Sequence, residues 1–395
     1  MNQSVKKPRY QRNFGLDLLR STAITVVLIN HGFFGFFVNT GISQWQGWRA
    51  ALSASAVFSI EWLFVLSGFL IGSMMIRSFE RRADWWGSAR DFWLRRWFRT
   101  IPNYYLFLLA NIVLAWWGIE EGRFAWSFVV FSQNLAWAET KPLFFSESWS
   151  LALDEWFYFV MPLLLGLVIL LLRAQRKVLF WAAALILILI PNIVRFASGP
   201  TLHFFDWDET VRRVTIMHLD ATGWGVVAAI LSKWHADWWN RWRGLKAFLG
   251  FALTLGAVLS MCLFILKGWH VIWGGWLNDT ILITAPCLGV VLFLPWLSSI
   301  HPKSSWIRGL AARVGDYSYS VYLSHFPVMM VLVYFFSSQG WNIEIFVWWA
   351  VFFWVVMVFL VSMIVFHNFE KPISDLREKF TTRVQAGPFM TNAVR

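Results

Sequence analysis

Arg20 and His31 stand eleven residues apart in the apolar run LDLLRSTAITVVLINH. At 100° per residue that interval is close to three helical turns, so both side chains project from one face, about 16 Å apart along the axis. Asp17 lies on nearly the same face, one turn before Arg20. A charged or titratable group at the centre of a bilayer costs about 2.5–3.5 kcal/mol on insertion scales, which makes each one a functional candidate. Arg20 can extend its stem to the interface. His31 sits too deep for that, in the far half of the span, and an imidazole held there can abstract a proton; the competing reading is a structural histidine.

Three carboxylates lie at a similar depth. Glu61 occurs in IEWLFVLSGFLIG, and Asp154 and Glu155 occur in SWSLALDEWFYFVMP. A carboxylate beside an imidazole orients the ring and stabilises its cation, so these three are candidate partners of His31. Their alternative role is neutralising a buried arginine. Asp220, in MHLDATGWG, starts a later apolar run nearer its outer end, and His325, in DYSYSVYLSHFP, falls mid-run.

Arg96 and Arg99, in DFWLRRWFRTIPNYY, share a face one turn apart where a charged stretch passes into an apolar one. Guanidinium forks bind phosphate bidentately. A topology signal or lipid-headgroup anchor is the plainer reading of such a pair. Cys262 and Cys287 lie inside apolar runs at a spacing that fits neither a disulfide framework nor a zinc site.

The elements that must position these residues are membrane helices. Hydrophobic residues make up 58% of the 395 and charged ones 14%, against about 25% charged in soluble domains. About 20 apolar residues cross the hydrocarbon layer, and ten segments qualify: about 15–37, 54–76, 100–119, 147–172, 178–196, 217–232, 244–267, 276–299, 314–337 and 343–367. The short apolar stretch 124–137 reads as interfacial or re-entrant. The expected fold class is therefore all-α, a polytopic membrane protein in one domain. The first run carries Arg20 and His31 and lacks a small-residue cleavage site, which marks a retained helix rather than a signal peptide.

The loops set the orientation. Alternate connections and both termini hold 26 of the 34 basic residues, and the opposite side holds seven: Arg49, Arg123, Lys141, Arg195, Arg212, Arg213 and Lys267. The rich side includes Lys6, Lys7, Arg9, Arg12, Arg82, Arg173, Arg383 and Arg395. The positive-inside rule places that side, with both termini, in the cytoplasm. The net charge of +12 is thereby topology and anionic-lipid contact rather than a nucleic-acid footprint.

The motifs LDLLRSTAITVVLINH, IEWLFVLSGFLIG, RRWFRTIPNYY, WSLALDEWFYFVMP, SYSVYLSHFPV and FEKPISDL occur in order from residue 16 to 376. In these the chain resembles the acyltransferase-3 family of bacterial inner-membrane O-acyltransferases, which modify O-antigen, exopolysaccharide and related glycans. The resemblance implies ten helices, acyl-CoA (acetyl-CoA above all) as cytoplasmic donor, and a glycan or glycolipid hydroxyl acceptor at the outer face. It also implies that Arg20 and His31 are essential and that Arg96 and Arg99 serve the donor. The family usually has Asp at the position of Glu61 and Glu at that of Asp154, which leaves open whether Asp154 or Glu155 is the functional acid. Longer family members carry an added esterase-like outer domain, for which this sequence shows no segment.

On this reading His31 is the general base for the acceptor hydroxyl, with a transient acyl-histidine as the competing scheme. Arg20 orients the site or stabilises the thioester oxyanion. Glu61 with Asp154 or Glu155 partners the histidine. Trp126, Trp137, Phe204, Phe205 and Trp207 are candidates for sugar stacking, although interfacial belts explain most tryptophans equally well. No metal is expected. The rival class is a transporter or flippase of a lipid-linked or small anionic solute, against which stand the lack of repeated halves and of paired broken helices.

Overall fold

The computed structural model describes residues 13–37, 46–81, 84–172, 174–267, 276–341 and 346–381. The basic residues Lys6, Lys7, Arg9, Arg12, Arg82, Arg173, Arg383 and Arg395 lie outside them.

The protein is all-α. Ten helices coincide with the ten apolar segments: α1 Phe14–Phe37, α2 Gln46–Arg81, α3 Trp85–Trp116, α4 Ser148–Leu172, α5 Arg176–Ser198, α6 Asp220–Trp234, α7 Arg243–Lys267, α8 Trp276–Leu297, α9 Ser305–Ser338 and α10 Val347–Val365. A π-helical turn, Phe366–Glu370, continues α10 into the amphipathic α11, Lys371–Phe380. Apolar runs become helices because hydrocarbon offers no partner for the backbone, so each segment must bond to itself. Helix ends are set locally: Asp84 accepts from the Gly87 amide (3.0 Å) at the start of α3, and Gly199 closes α5 at φ +79°.

Among the described residues, eight helices are long and apolar enough to cross a membrane; α3 and α6 fall outside that set. The first half of α3 carries Arg90, Asp91, Arg95, Arg96 and Arg99, so its apolar part begins only at Ile101. With 15 residues, α6 is about 22 Å long, short of the hydrocarbon thickness, and most of it is buried inside the bundle.

The central helix α2 packs against α1, α6, α7 and α8, while α1 lies between α2 and α9. Glycines let α2 and α6 touch backbone to backbone: a Cβ on Gly68 would stand 2.0 Å from the Thr222 carbonyl oxygen, and one on Gly225 2.2 Å from that of Val65. Helices α7 and α10 turn Phe248, Phe251, Trp348, Trp349, Phe352 and Phe353 outward, the exposed apolar surface a lipid-facing helix presents.

The segment 117–147, part of which reads as re-entrant from sequence, is an irregular loop with a single 3-10 turn at Trp126–Phe128. Tyr104 and Tyr105 of α3 donate to the Phe128 and Val129 carbonyls (both 2.8 Å), and Asn134 donates to the Trp149 carbonyl at the start of α4 (3.0 Å). The amides of Thr215 and Ile216 donate to Asn134 and Leu135. These bonds join the loops 117–147 and 199–219 into one cap over the end of the bundle opposite the arginine-rich end.

Candidate active site

His31 meets a second histidine. Its Nδ1 lies 2.8 Å from Nε2 of His325 on α9, and the rings stack at 5.0 Å with 7° between their planes. Nδ1 of His325 lies 2.5 Å from the backbone carbonyl oxygen of Tyr322, which can only accept. That proton therefore belongs to Nδ1 of His325, leaving Nε2 to accept when the ring is neutral, so Nδ1 of His31 must donate. Nε2 of His31 is then the free lone pair of the pair. His325 is fully buried and His31 half-buried.

Trp354 of α10 holds both rings in place. Its Nε1 donates to the His325 carbonyl (2.9 Å), and its six-membered ring fills the space beside Gly32, where a Cβ would come within 2.5 Å.

The expectation of a carboxylate partner for His31 is corrected here. Glu61 is bonded instead to His218, with Oε2 2.7 Å from Nε2, and both side chains are buried. Asp154 and Glu155 face the arginines of α3. The guanidinium of Arg96 lies over the Tyr158 ring at 4.7 Å, the Ser67 and Tyr158 hydroxyls, 3.1 Å apart, stand beside Asp154, and Thr100 stands beside Glu155. Arg96, Arg20 and Glu370 are the charged neighbours of Arg99, and Arg20 also acts on Asp154. Glu370, delivered by the π-turn after α10, accepts from Asn103 (3.0 Å) and Ser320 (2.6 Å). The residues singled out from sequence thus divide into two groups. Arg20, Arg96, Arg99, Asp154 and Glu155 form an arginine–carboxylate cluster, and His31 stands about 16 Å from Arg20, closer to the loop cap.

Sequence reading missed the surroundings of His31 on the cap side. Asp208 accepts from Nε of Arg212 (2.5 Å) and Nε of Arg213 (2.7 Å). Burial opposes its ionisation, yet the two guanidiniums hold it below the usual carboxylate range. Arg212 stacks over Trp149 at 4.5 Å. Nδ1 of His218 lies 2.5 Å from the Arg212 carbonyl oxygen, so Glu61 fixes the Arg212 backbone through His218. Glu139 and Glu147 each bury two carboxylate oxygens without a partner, and burial pushes Glu139 up to about 7. The available signal was the pair Arg212–Arg213 on the side poor in basic residues, followed by His218.

Asp220 neutralises Arg195 through two bonds of 3.1 and 2.6 Å, both groups fully buried. Trp126, Trp137 and Phe205 are exposed, whereas Trp207 is fully buried in an apolar cluster with Phe264 and presents no face for stacking.

A family model described as an acyltransferase domain matches residues 13–367. The O-acetyltransferase OatA of Staphylococcus aureus is 23% identical over 361 residues, covering 86% of this chain and 53% of that protein. YrhL of Bacillus subtilis, named as a candidate peptidoglycan O-acetyltransferase, is 22% identical over 393 residues, covering 91% of this chain and 54% of YrhL. A candidate O-acetyltransferase of S. aureus strain MSSA476 is 24% identical over 347 residues, with 82% and 51% covered. The chain spans about half the length of the curated relatives it matches. No solved structure matches it.

Proposed function

Since the chain belongs to the acyltransferase-3 family, we propose that this multi-pass membrane protein is an O-acyltransferase that moves an acyl group, acetyl in the first instance, from acyl-CoA to a hydroxyl of a glycan or glycolipid. The observation that carries the reading is the hydrogen-bond chain from His31 through His325 to the Tyr322 carbonyl, which leaves Nε2 of His31 as a base. The arginine-rich end faces the cytoplasm, as the distribution of basic residues favours. The relatives named for O-acetyl transfer, one of them to peptidoglycan, favour a sugar hydroxyl as acceptor.

In this scheme the acyl-CoA phosphates rest against Arg96 and Arg99, with Arg20 beside them, and the extended pantetheine arm carries the thioester towards His31. Nε2 of His31 takes the hydroxyl proton as the acceptor oxygen attacks the acyl carbon. The C–S bond then breaks, the sulfur leaves with the bonding pair, and the proton passes to it, giving the ester and free CoA. His325 keeps Nε2 of His31 unprotonated at the start and shares the cation once it forms.

The test is transfer of label from acetyl-CoA to oligosaccharide acceptors by the purified protein in lipid nanodiscs, with thiol release followed in parallel. Acceptor-dependent ester formation supports the reading. A wild-type protein that binds acyl-CoA but releases no thiol with any glycan acceptor would remove it.

A further inference from the structure

Resting on the transfer reaction proposed above, we propose that the guanidinium of Arg212, backed by Arg213, is the oxyanion donor of that reaction, and that Glu61 and His218 are positioning residues for it.

The carbonyl oxygen of an acyl group gains negative charge as a hydroxyl attacks, and a pre-placed N–H donor bearing positive charge lowers that barrier most in a dry site. Arg20 is poorly placed for this, because eleven residues of α1 separate it from His31, about 16 Å. Arg212 is better placed. Asp208 grips it through Nε and Nη2, each 2.5 Å from the same carboxylate oxygen, and takes Nε of Arg213 with the other. Two guanidiniums on one carboxylate leave a net charge of +1. Nη1 of Arg212 is buried and has no hydrogen-bond partner. An unsatisfied guanidinium N–H in a residue only 5% exposed marks a place where an acceptor atom belongs.

The geometry carries this donor to the histidine pair. Arg212 lies over Trp149, whose neighbour Ser150 is 2.7 Å from the Tyr322 hydroxyl. Tyr322 offers its carbonyl to His325, and His325 bonds His31. The charges of Arg213 and Arg212 also reach His31. Behind Arg212, the Glu61–His218 pair holds its carbonyl oxygen and so fixes where the side chain starts. His218 stacks on the same Trp149 ring, at 6.3 Å and 9°.

In the step itself the acceptor oxygen forms the new C–O bond, His31 takes its proton, and the acyl C=O electron pair moves onto oxygen facing Nη1 of Arg212. Collapse returns that pair to the carbonyl and expels the thiolate, which receives the proton from His31.

The experiment compares wild type with Arg212→Gln, Arg212→Lys and Glu61→Gln in nanodiscs, with acetyl-CoA and the acceptor on which the wild type acts. Arg212→Gln should lower kcat by about 10²–10³-fold with the KM values for both substrates unchanged, the pattern of an interaction made only in the transition state. Arg212→Lys should recover little, because one ammonium cannot hold Asp208 and an oxyanion together. Glu61→Gln should lower kcat by a smaller factor, again without moving KM. Unchanged kcat in Arg212→Gln, or a loss seen only in KM, overturns the assignment. If Arg212→Gln does not fold, Glu61→Gln decides, and an unchanged kcat there has the same consequence. A wild type without transfer activity defeats the proposed function instead, so the two failures are distinguishable.

Discussion

His31 Nδ1 donates across 2.8 Å to Nε2 of His325, the ring whose own Nδ1 is committed to the Tyr322 carbonyl. Either histidine alone has two tautomers; the pair, anchored on an obligatory acceptor, has one. His31→Gln should therefore reduce acyl transfer by about 10²–10⁴-fold, the contribution of a general base. His325→Gln should cost less, because it disturbs only the tautomer and orientation of the base. Both are measured as labelled ester per mole of protein in nanodiscs, and a His31→Gln protein near wild-type rate would end the assignment.

Arg96 and Arg99 sit among Arg20, Asp154 and Glu155, a setting in which a polyanion displaces carboxylate partners. Replacing both with Gln should raise the apparent KM for acyl-CoA while the acceptor KM holds. Raising the salt concentration should weaken donor binding by the wild type more than by the double variant. Equal acyl-CoA binding by the two proteins in calorimetry would return the arginines to the role of topology signals.

The loop cap built from 117–147 and 199–219 should face away from the cytoplasm, with the arginine-rich end inside. Single cysteines introduced at 130 and 205 should react with an impermeant maleimide in intact cells. Reaction only after permeabilisation would invert the arrangement.

Burial pushes the Glu139 carboxyl up to about 7 against an ordinary value of 4.5. The folded protein then binds this proton more tightly than the unfolded chain does, so stability falls as pH rises from about 4.5 and levels off above about 7. Glu139→Gln cannot ionise and should lose that part of the slope. The Tm of wild type minus variant, followed from pH 5 to 8 in detergent, should decline; a flat difference contradicts the assignment.

Arg195 and Asp220 are each fully buried and neutralise one another. Removing one partner should destabilise by about 3–5 kcal/mol, because it strands the other charge. The double change Arg195→Met with Asp220→Asn should recover much of that loss. Thermal unfolding of the two single variants and the double variant measures the coupling, and additive losses would show that the pair acts independently.

The sequence by itself determined the helices, because in hydrocarbon an apolar run has one way to satisfy its backbone. It also determined that Arg20 and His31 share a face, since the helical repeat fixes both angle and rise. It could not determine who meets whom across helices. Residue number gives depth along an axis, but neighbours depend on which helices lie side by side and how each is rotated. Glu61 sits at nearly the depth of His31, yet α1 turns that face to α9, so His325 becomes the partner and Glu61 goes to His218. Asp154 and Glu155 point at α3, where the charge of Arg96 acts on both, and Arg99 stands beside Arg96 and Glu370. Arg212, which reads in sequence as one of seven charges on the side poor in basic residues, meets Trp149 and His218 only because the 199–219 loop folds back onto α4.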